Sequence, residues 1–225
     1  MESSIIAELS KTLQIAPEYV VREYWEMVLL QEISASALGP SIVFKGGTAL
    51  RLAYNSPRFS VDLDFSPLTK IVYSDFSRIM KEIDSRYKEI TLKDLKDKFY
   101  TLFALFSIGE PNLKHNFSIK IELNKKLLPA APNVFEPRLL ISITSPVQVL
   151  MNTYTLAQIK KEKWEAVKTR RQPRDVFDLW YVANLERAPW QAPATDYSML
   201  EWKNELNRLL PKKLYSVIEQ LRNQQ

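Results

Sequence analysis

The chain has 225 residues, of which 46% are hydrophobic and 25% charged, with a formal net charge of +5 and no cysteine. This composition is ordinary for a soluble globular chain, long enough for one large domain or a core with an appendage. No apolar run approaches the ~20 residues of a membrane helix, and without cysteine there is no disulfide, thiolate metal site or cysteine nucleophile. The segment Met1–Ser10 has no cationic stretch ahead of an apolar one, so no signal peptide is expected, and the cytoplasm is the expected location. Charge is unevenly placed: residues 1–110 carry a net −2 and residues 111–225 a net +7. A basic half of this kind suits a polyanionic partner, and equally a surface kept basic for solubility.

In chain order, Ile5, Ile6, Leu9 and Leu13 fall at helical spacing. Pro17 opens a longer amphipathic helix with Val21, Tyr24, Trp25, Val28 and Leu29 on one face, ended by Gly39-Pro40. Ile42-Val43-Phe44 reads as a strand, Lys45-Gly46-Gly47-Thr48 as a turn, and Ala49–Tyr54 as a brief helix. After Asn55-Ser56-Pro57 a second strand is expected over Phe59–Phe65, with Val61, Leu63 and Phe65 pointing to the core. A helix over Ser74–Tyr87 and a loose strand over Lys88–Lys98 follow. The nearly uniform apolar run Phe99–Ile108 predicts a buried central strand, and Phe117–Leu123 pairs with it as an antiparallel hairpin. Leu128–Pro137 reads as a connector and Arg138–Thr144 as a last strand. Ser145-Pro146-Val147-Gln148 matches a helix start, with a serine cap, proline in the first turn and glutamine three after the cap. The expected organisation is therefore a core over 1–144 and a helical C-terminal domain over 145–225 that completes the site. Two final helices carry stripes of Leu200, Leu206, Leu209 and Leu210, then Leu214, Val217, Ile218 and Leu221.

The stretch Ser41–Ser66 carries the chemistry. The chain has 4 glycines, and two of them stand side by side between a strand and a helix. Glycine admits positive φ and close approach, and a helix N-terminus behind it offers N–H groups to a phosphate. On the next strand Asp62 and Asp64 are two apart, so their carboxylates share a face. Two like charges so close call for a cation between them, best a divalent ion with oxygen ligands. A phosphate cradle and a metal site at one sheet edge suit a nucleoside triphosphate with Mg2+, or with Mn2+.

These residues, KGGTALRL followed by RFSVDLDF with Thr48, Leu50, Arg58 and Ser60 in place, resemble the AbiEii/AbiGii-type nucleotidyltransferase toxins, a branch of the DNA polymerase β-like superfamily. The resemblance covers about residues 20–185. It implies an α+β fold, a polymerase β-like core with a mixed sheet backed by helices and a helical C-terminal part. It also implies a third carboxylate on a neighbouring strand. Glu122 holds the expected place in order, and a solvent-facing residue of an amphipathic strand is the alternative. Further on, Glu162-Lys163 and then Pro173-Arg174-Asp175, Asp178 and Leu179 resemble the family's second signature block. From that likeness Lys163 contacts the triphosphate or activates the acceptor, and Asp175 and Asp178 line the site. From the residues alone, Asp175 equally suits a helix first turn, and Arg174 and Asp178 a surface ion pair.

The expected activity is a Mg2+-dependent nucleotidyltransferase that moves NMP from an NTP to an acceptor hydroxyl, with the 3′ end of RNA or tRNA favoured over protein. Lys45, Gly46, Gly47, Thr48, Arg58 and Ser60 would bind the nucleotide, Asp62, Asp64 and Glu122 the metal, and Lys163, Asp175 and Asp178 would join the two aspartates in catalysis. The resemblance implies a toxin with a cognate antitoxin, and no membrane partner is expected. Two alternatives stay open: an inactive nucleotide- or RNA-binding module, and a kinase-like phosphotransferase attacking the γ phosphorus.

Overall fold

The computed structural model describes residues 1–129 and 131–223. Helix α1 (Ser3–Leu13) leads to α2 (Pro17–Ala35), which opens on proline where a missing N–H costs nothing. The short strand β1 (Ile42–Lys45) runs directly into α3 (Gly46–Tyr54), and β2 (Asp62–Pro67) returns antiparallel to β1. After α4 (Tyr73–Arg86) comes a meander of β3 (Ile90–Asp97), β4 (Thr101–Ile108) and β5 (Phe117–Asn124). A second hairpin, β6 (Phe135–Ser142) and β7 (Ser145–Tyr154), precedes α5 (Leu156–Arg170) and α6 (Pro173–Leu185). The described chain closes with α7 (Met199–Leu209) and α8 (Tyr215–Arg222).

Among the described residues the strands form one seven-stranded mixed sheet in the order β3-β4-β5-β2-β1-β7-β6. The two joins that tie the halves together are parallel, β2 with β5 and β1 with β7. One face is buried against α2 and α4 by Phe44, Leu63, Phe65, Phe106, Ile119 and Ile121 packed on Met27, Leu29, Phe76 and Met80. Alternation along the strands then turns Asp62, Asp64, Lys120 and Glu122 to the opposite face. That face is covered at the β1–β7 side only, where Leu50 and Tyr54 of α3 pack with Tyr154, Ile159 of α5 and Val182 of α6. The C-terminal helices hold a separate apolar cluster around Phe177, Trp202, Leu206 and Ile218. The uncovered strip of sheet between these layers is where the site forms.

Several expected elements shift. Residues 145–154 form a strand, not a helix start: β7 alternates Val149, Met151 and Thr153 inward with Gln148 and Leu150 outward, and pairs with both β1 and β6. The local Ser-Pro-x-Gln cap pattern loses to these long-range ladders. Strand β6 therefore is not last, and it begins at Phe135 inside the expected connector 128–137, whose residue 130 lies outside the described residues. Pro137 is tolerated because β6 is an edge strand. β4 is second from the other edge rather than central, and Phe99 and Tyr100 are 85% and 74% exposed. β2 starts at Asp62, because the Phe59 N–H bonds the Leu209 carbonyl (2.8 Å) and its ring packs with Ile15 and Val20 instead. Leu200 is exposed, and the α7 stripe is carried by Trp202, Leu206 and Leu209.

Candidate active site

Hydrogen-bonded register across the open face sets one row of side chains. Lys45 of β1 lies opposite Asp64 of β2, and Asp64 opposite Glu122 of β5. One step along, Asp62 lies opposite Lys120. The three carboxylates expected from sequence thus stand on adjoining strands, together with a lysine that sequence reasoning passed over. Its ammonium is 3.3 Å from Asp62 and 3.3 Å from Glu122. Alternation in the sequence already puts Ser118, Lys120 and Glu122 on one polar face of β5, but gives the lysine no role. Lys98 from the end of β3 adds a second cation to Glu122 at 3.1 Å.

The glycines meet these acids. Gly46 opens α3 with φ +84°, and a Cβ there would stand 2.7 Å from the Asp64 Oδ2. A Cβ on Gly47 would fall on the Arg58 guanidinium and 2.9 Å from the Ser60 hydroxyl. Both positions need glycine for room, and Gly46 needs it for conformation as well. The first turn of α3 therefore faces the carboxylates at contact distance. Thr48 does not line the cleft: it is fully buried, and its hydroxyl donates to the Asp62 carbonyl at 2.5 Å, which fixes the start of β2 rather than cradling a ligand.

The second block arrives on α5 and α6. Lys163 is buried but reaches the cleft, its ammonium 2.7 Å from Asp175 Oδ1 and 2.5 Å from Asp178 Oδ2. Asp178 also accepts both arms of Arg58, each at 2.7 Å, and Asp175 accepts two bonds from Arg170 at 2.9 and 3.0 Å. Asp175 and Asp178 are 0% exposed and do not line the cleft, contrary to expectation; their contacts are with Lys163, Arg58 and Arg170, which do. The surface pair Arg174–Asp178 is not formed either, since Arg174 pairs with Glu205 at 3.4 Å. Lys45 is held by Glu162 of α5 at 3.2 Å, so both flanks of the cleft present basic groups. The resulting cleft measures about 540 Å³.

Charge state differs across the site. Burial, with the neighbouring Asp62 charge, pushes the Asp64 carboxyl up despite Lys120 and Lys45. Glu122 is held below the usual range: burial works to raise it, and its bonds to Lys98 and Lys120 prevail. Burial alone would raise Asp175, yet Lys163 and Arg170 bring it down to about 2. Asp178 is likewise lowered, with Arg58 and Lys163 outweighing its burial.

Three carboxylates give the hard oxygen donors that Mg2+ takes. Among the described residues no three acidic, imidazole or thiol groups converge into a finished metal group. Instead the Lys120 ammonium bridges Asp62 and Glu122, a positive charge standing where the acids demand one. The donor chemistry and the unmet charge on Asp64 fit a divalent cation.

A glycine-led helix N-terminus thus faces paired carboxylates on a mixed sheet, and the comparisons with known proteins supply the class, a nucleotidyltransferase. The structure is similar to the nucleotidyltransferase toxin MenT4 of Mycobacterium tuberculosis, with a TM-score of 0.65 at 15% identity, covering 100% of this chain and 88% of that one. It is also similar to JHP933 of Helicobacter pylori, with a TM-score of 0.54 at 22% identity, covering 76% of this chain and 68% of that one. No curated protein matches. Residues 28–220 match the family described as nucleotidyl transferase AbiEii toxin, type IV toxin–antitoxin system. The chain belongs to that family. Among the described residues no helix is long and apolar enough to cross a membrane.

Proposed function

We propose that the protein transfers a nucleoside monophosphate from an NTP to an acceptor hydroxyl, the 3′ end of an RNA, and that a cognate antitoxin restrains it. The observation that carries this is the registered row Lys45–Asp64–Glu122 set against the glycine start of α3. The first-turn N–H groups of α3, with Gly47 and Ser60, would take phosphate oxygens. Asp62 and Asp64, joined by Glu122, would hold Mg2+, which when bound neutralises charge on the phosphates and the attacking oxygen. Lys120 would then give up its carboxylate partners to that ion and turn to a phosphate oxygen.

Lys163 of α5 lines the cleft, where it would meet the charge developing on the leaving pyrophosphate, with Lys45 of β1 lining it as well. Asp175 and Asp178 act as positioning residues: their ion pairs hold Lys163 in place, and Asp178 fixes Arg58 under Gly47. In the reaction the acceptor oxygen bonds to the α phosphorus, the bond from that phosphorus to the bridging oxygen breaks, pyrophosphate leaves, and the hydroxyl proton passes to the carboxylate edge. The family description implies an antitoxin, and the basic half of the chain favours RNA over protein as acceptor.

The test supplies α-labelled or γ-labelled NTP with Mg2+, total tRNA and a protein mixture, to wild type and Asp62→Ala/Asp64→Ala. Label on RNA from the α position only, absent in the variant, is the expected result. Transfer from the γ position would establish a kinase-like phosphotransferase instead. Transfer from neither, with NTP still bound, would point to an inactive binding module.

A further inference from the structure

The row that makes the site does not stop at Glu122. Glu122 lies opposite Phe103 of β4, and Phe103 opposite Lys96 of β3. The same open face thus runs Lys45, Asp64, Glu122, Phe103, Lys96 across five adjoining strands. Strand spacing of about 4.8 Å puts Lys96 roughly 10 Å from Glu122. Lys98 lies over the buried Phe103 ring at 3.7 Å while its ammonium reaches Glu122, so the lysine, not the ring, joins the strip to the catalytic edge.

Directly after Lys98 the β3–β4 hairpin turns on Phe99 and Tyr100, closed by the Lys98 N–H to the Thr101 carbonyl at 2.9 Å. Tight turns are ordinarily built from glycine, asparagine and aspartate, and two aromatics at the tip gain nothing from the fold. Here they are 85% and 74% exposed and pack edge to face with each other, ring centroids 4.6 Å apart. Lys125, whose N–H bonds the Tyr100 carbonyl, and Lys126 flank them, and the acids near by, Asp94 and Asp97, sit in surface ion pairs with Lys96 and Lys125 that cost little to break. Exposed aromatic faces among lysines are the recognition chemistry of single-stranded nucleic acid, which stacks bases and carries phosphates.

We propose that this strip, from the exposed Phe99–Tyr100 tip past Lys96 and Lys98, binds the single-stranded end of the acceptor RNA and leads its 3′ hydroxyl to Glu122. This rests on the nucleotidyl-transfer assignment above and adds the acceptor's path to it. A protein acceptor or the antitoxin could use exposed aromatics too, but neither calls for lysines leading from the aromatic tip to the catalytic carboxylate.

The test takes the full chain with a fluorescent single-stranded RNA bearing a free 3′ hydroxyl. Wild type is compared with Phe99→Ala/Tyr100→Ala and with Phe99→Trp/Tyr100→Trp, both at exposed positions. Anisotropy should give the tryptophan variant near-wild-type affinity and the alanine variant an affinity about ten- to a hundredfold weaker. With α-labelled NTP the loss should fall on KM for RNA rather than on KM for NTP. Equal RNA affinity in all three proteins, or no RNA binding by wild type, overturns the proposal. Label that reaches RNA with an unchanged KM in the alanine variant sinks the strip but leaves nucleotidyl transfer standing; label that reaches only protein removes the RNA acceptor and the strip together.

Discussion

At the sheet edge Asp62, Asp64 and Glu122 face an open cleft with Lys120 and Lys98 as partners, whereas on α6 Asp175 and Asp178 are fully buried and matched by Lys163, Arg58 and Arg170. Both are clusters of carboxylates, yet Asp64 of the edge and the two hub aspartates are pushed in opposite directions, while Glu122, with its two lysines, is lowered like the hub. Asp64 is raised by burial and by Asp62, while Asp175 and Asp178 are lowered because their cations outweigh burial. The hub is saturated: every carboxylate has its counter-charge, and adding a cation would gain nothing. The edge is short of positive charge. What the difference teaches is a division of labour, with one region holding side chains still and the other left wanting a ligand.

The sharpest way to break the comparison is to remove charge at the edge. Asp62→Asn/Asp64→Asn should cost at least about 10²–10³-fold in transfer rate, read with α-labelled NTP. The fold should hold, and Asp64→Asn alone should raise the melting temperature at pH 7, since ionised Asp64 is disfavoured in the folded protein. The same kind of change in the hub should do the reverse. Asp178→Ala leaves Arg58 and Lys163 buried without their partner and should cost about 3–5 kcal/mol by denaturant titration.

Acid separates the regions without mutation. Asp175 ionises at about 2 in the folded protein against a usual 3.8, so its stabilising contribution is complete above pH 4 and is lost as pH falls towards 2. That single group accounts for roughly 2 kcal/mol, and near-UV circular dichroism of the tryptophans on α5–α7 should report it. Asp64 carries the opposite sign: its contribution is greatest below the usual carboxylate range and is lost as pH rises through its elevated folded value. The smallest effect is at the glycines. Gly46→Ala should cost about 1–2 kcal/mol for its positive φ, while its methyl presses on Asp64 and takes activity with it.

How legible each region was follows from the range of the forces that build it. The edge could be read because its logic is local: Gly46-Gly47 between strand and helix, Asp62 and Asp64 two apart, and the alternating run Phe117–Leu123. The β4–β5 hairpin was likewise foreseeable, and the family likeness implied the mixed sheet, but without its seventh strand. The hub was not, because Arg58 meets Asp178 120 residues away and nothing in either segment announces it. Only the family likeness drew attention to Asp175 and Asp178, and it placed them in the cleft when they are buried against Lys163 and Arg58. Strand β7 was lost to a convincing local cap, although Val147, Val149, Met151 and Thr153 carried a period of two that its pairing with β1 and β6 uses. Thr48, expected to touch the nucleotide, is instead a buried brace on β2.

The central claim, that the edge and not the hub takes the cation and its nucleotide, is tested most directly by calorimetric titration of Mn2+ into the protein holding a non-hydrolysable NTP analogue. Wild type and a hub variant, Asp175→Asn, should bind the ion with similar affinity, and Asp62→Asn/Asp64→Asn should show none. Equal binding by all three proteins, or loss confined to Asp175→Asn, would contradict the account.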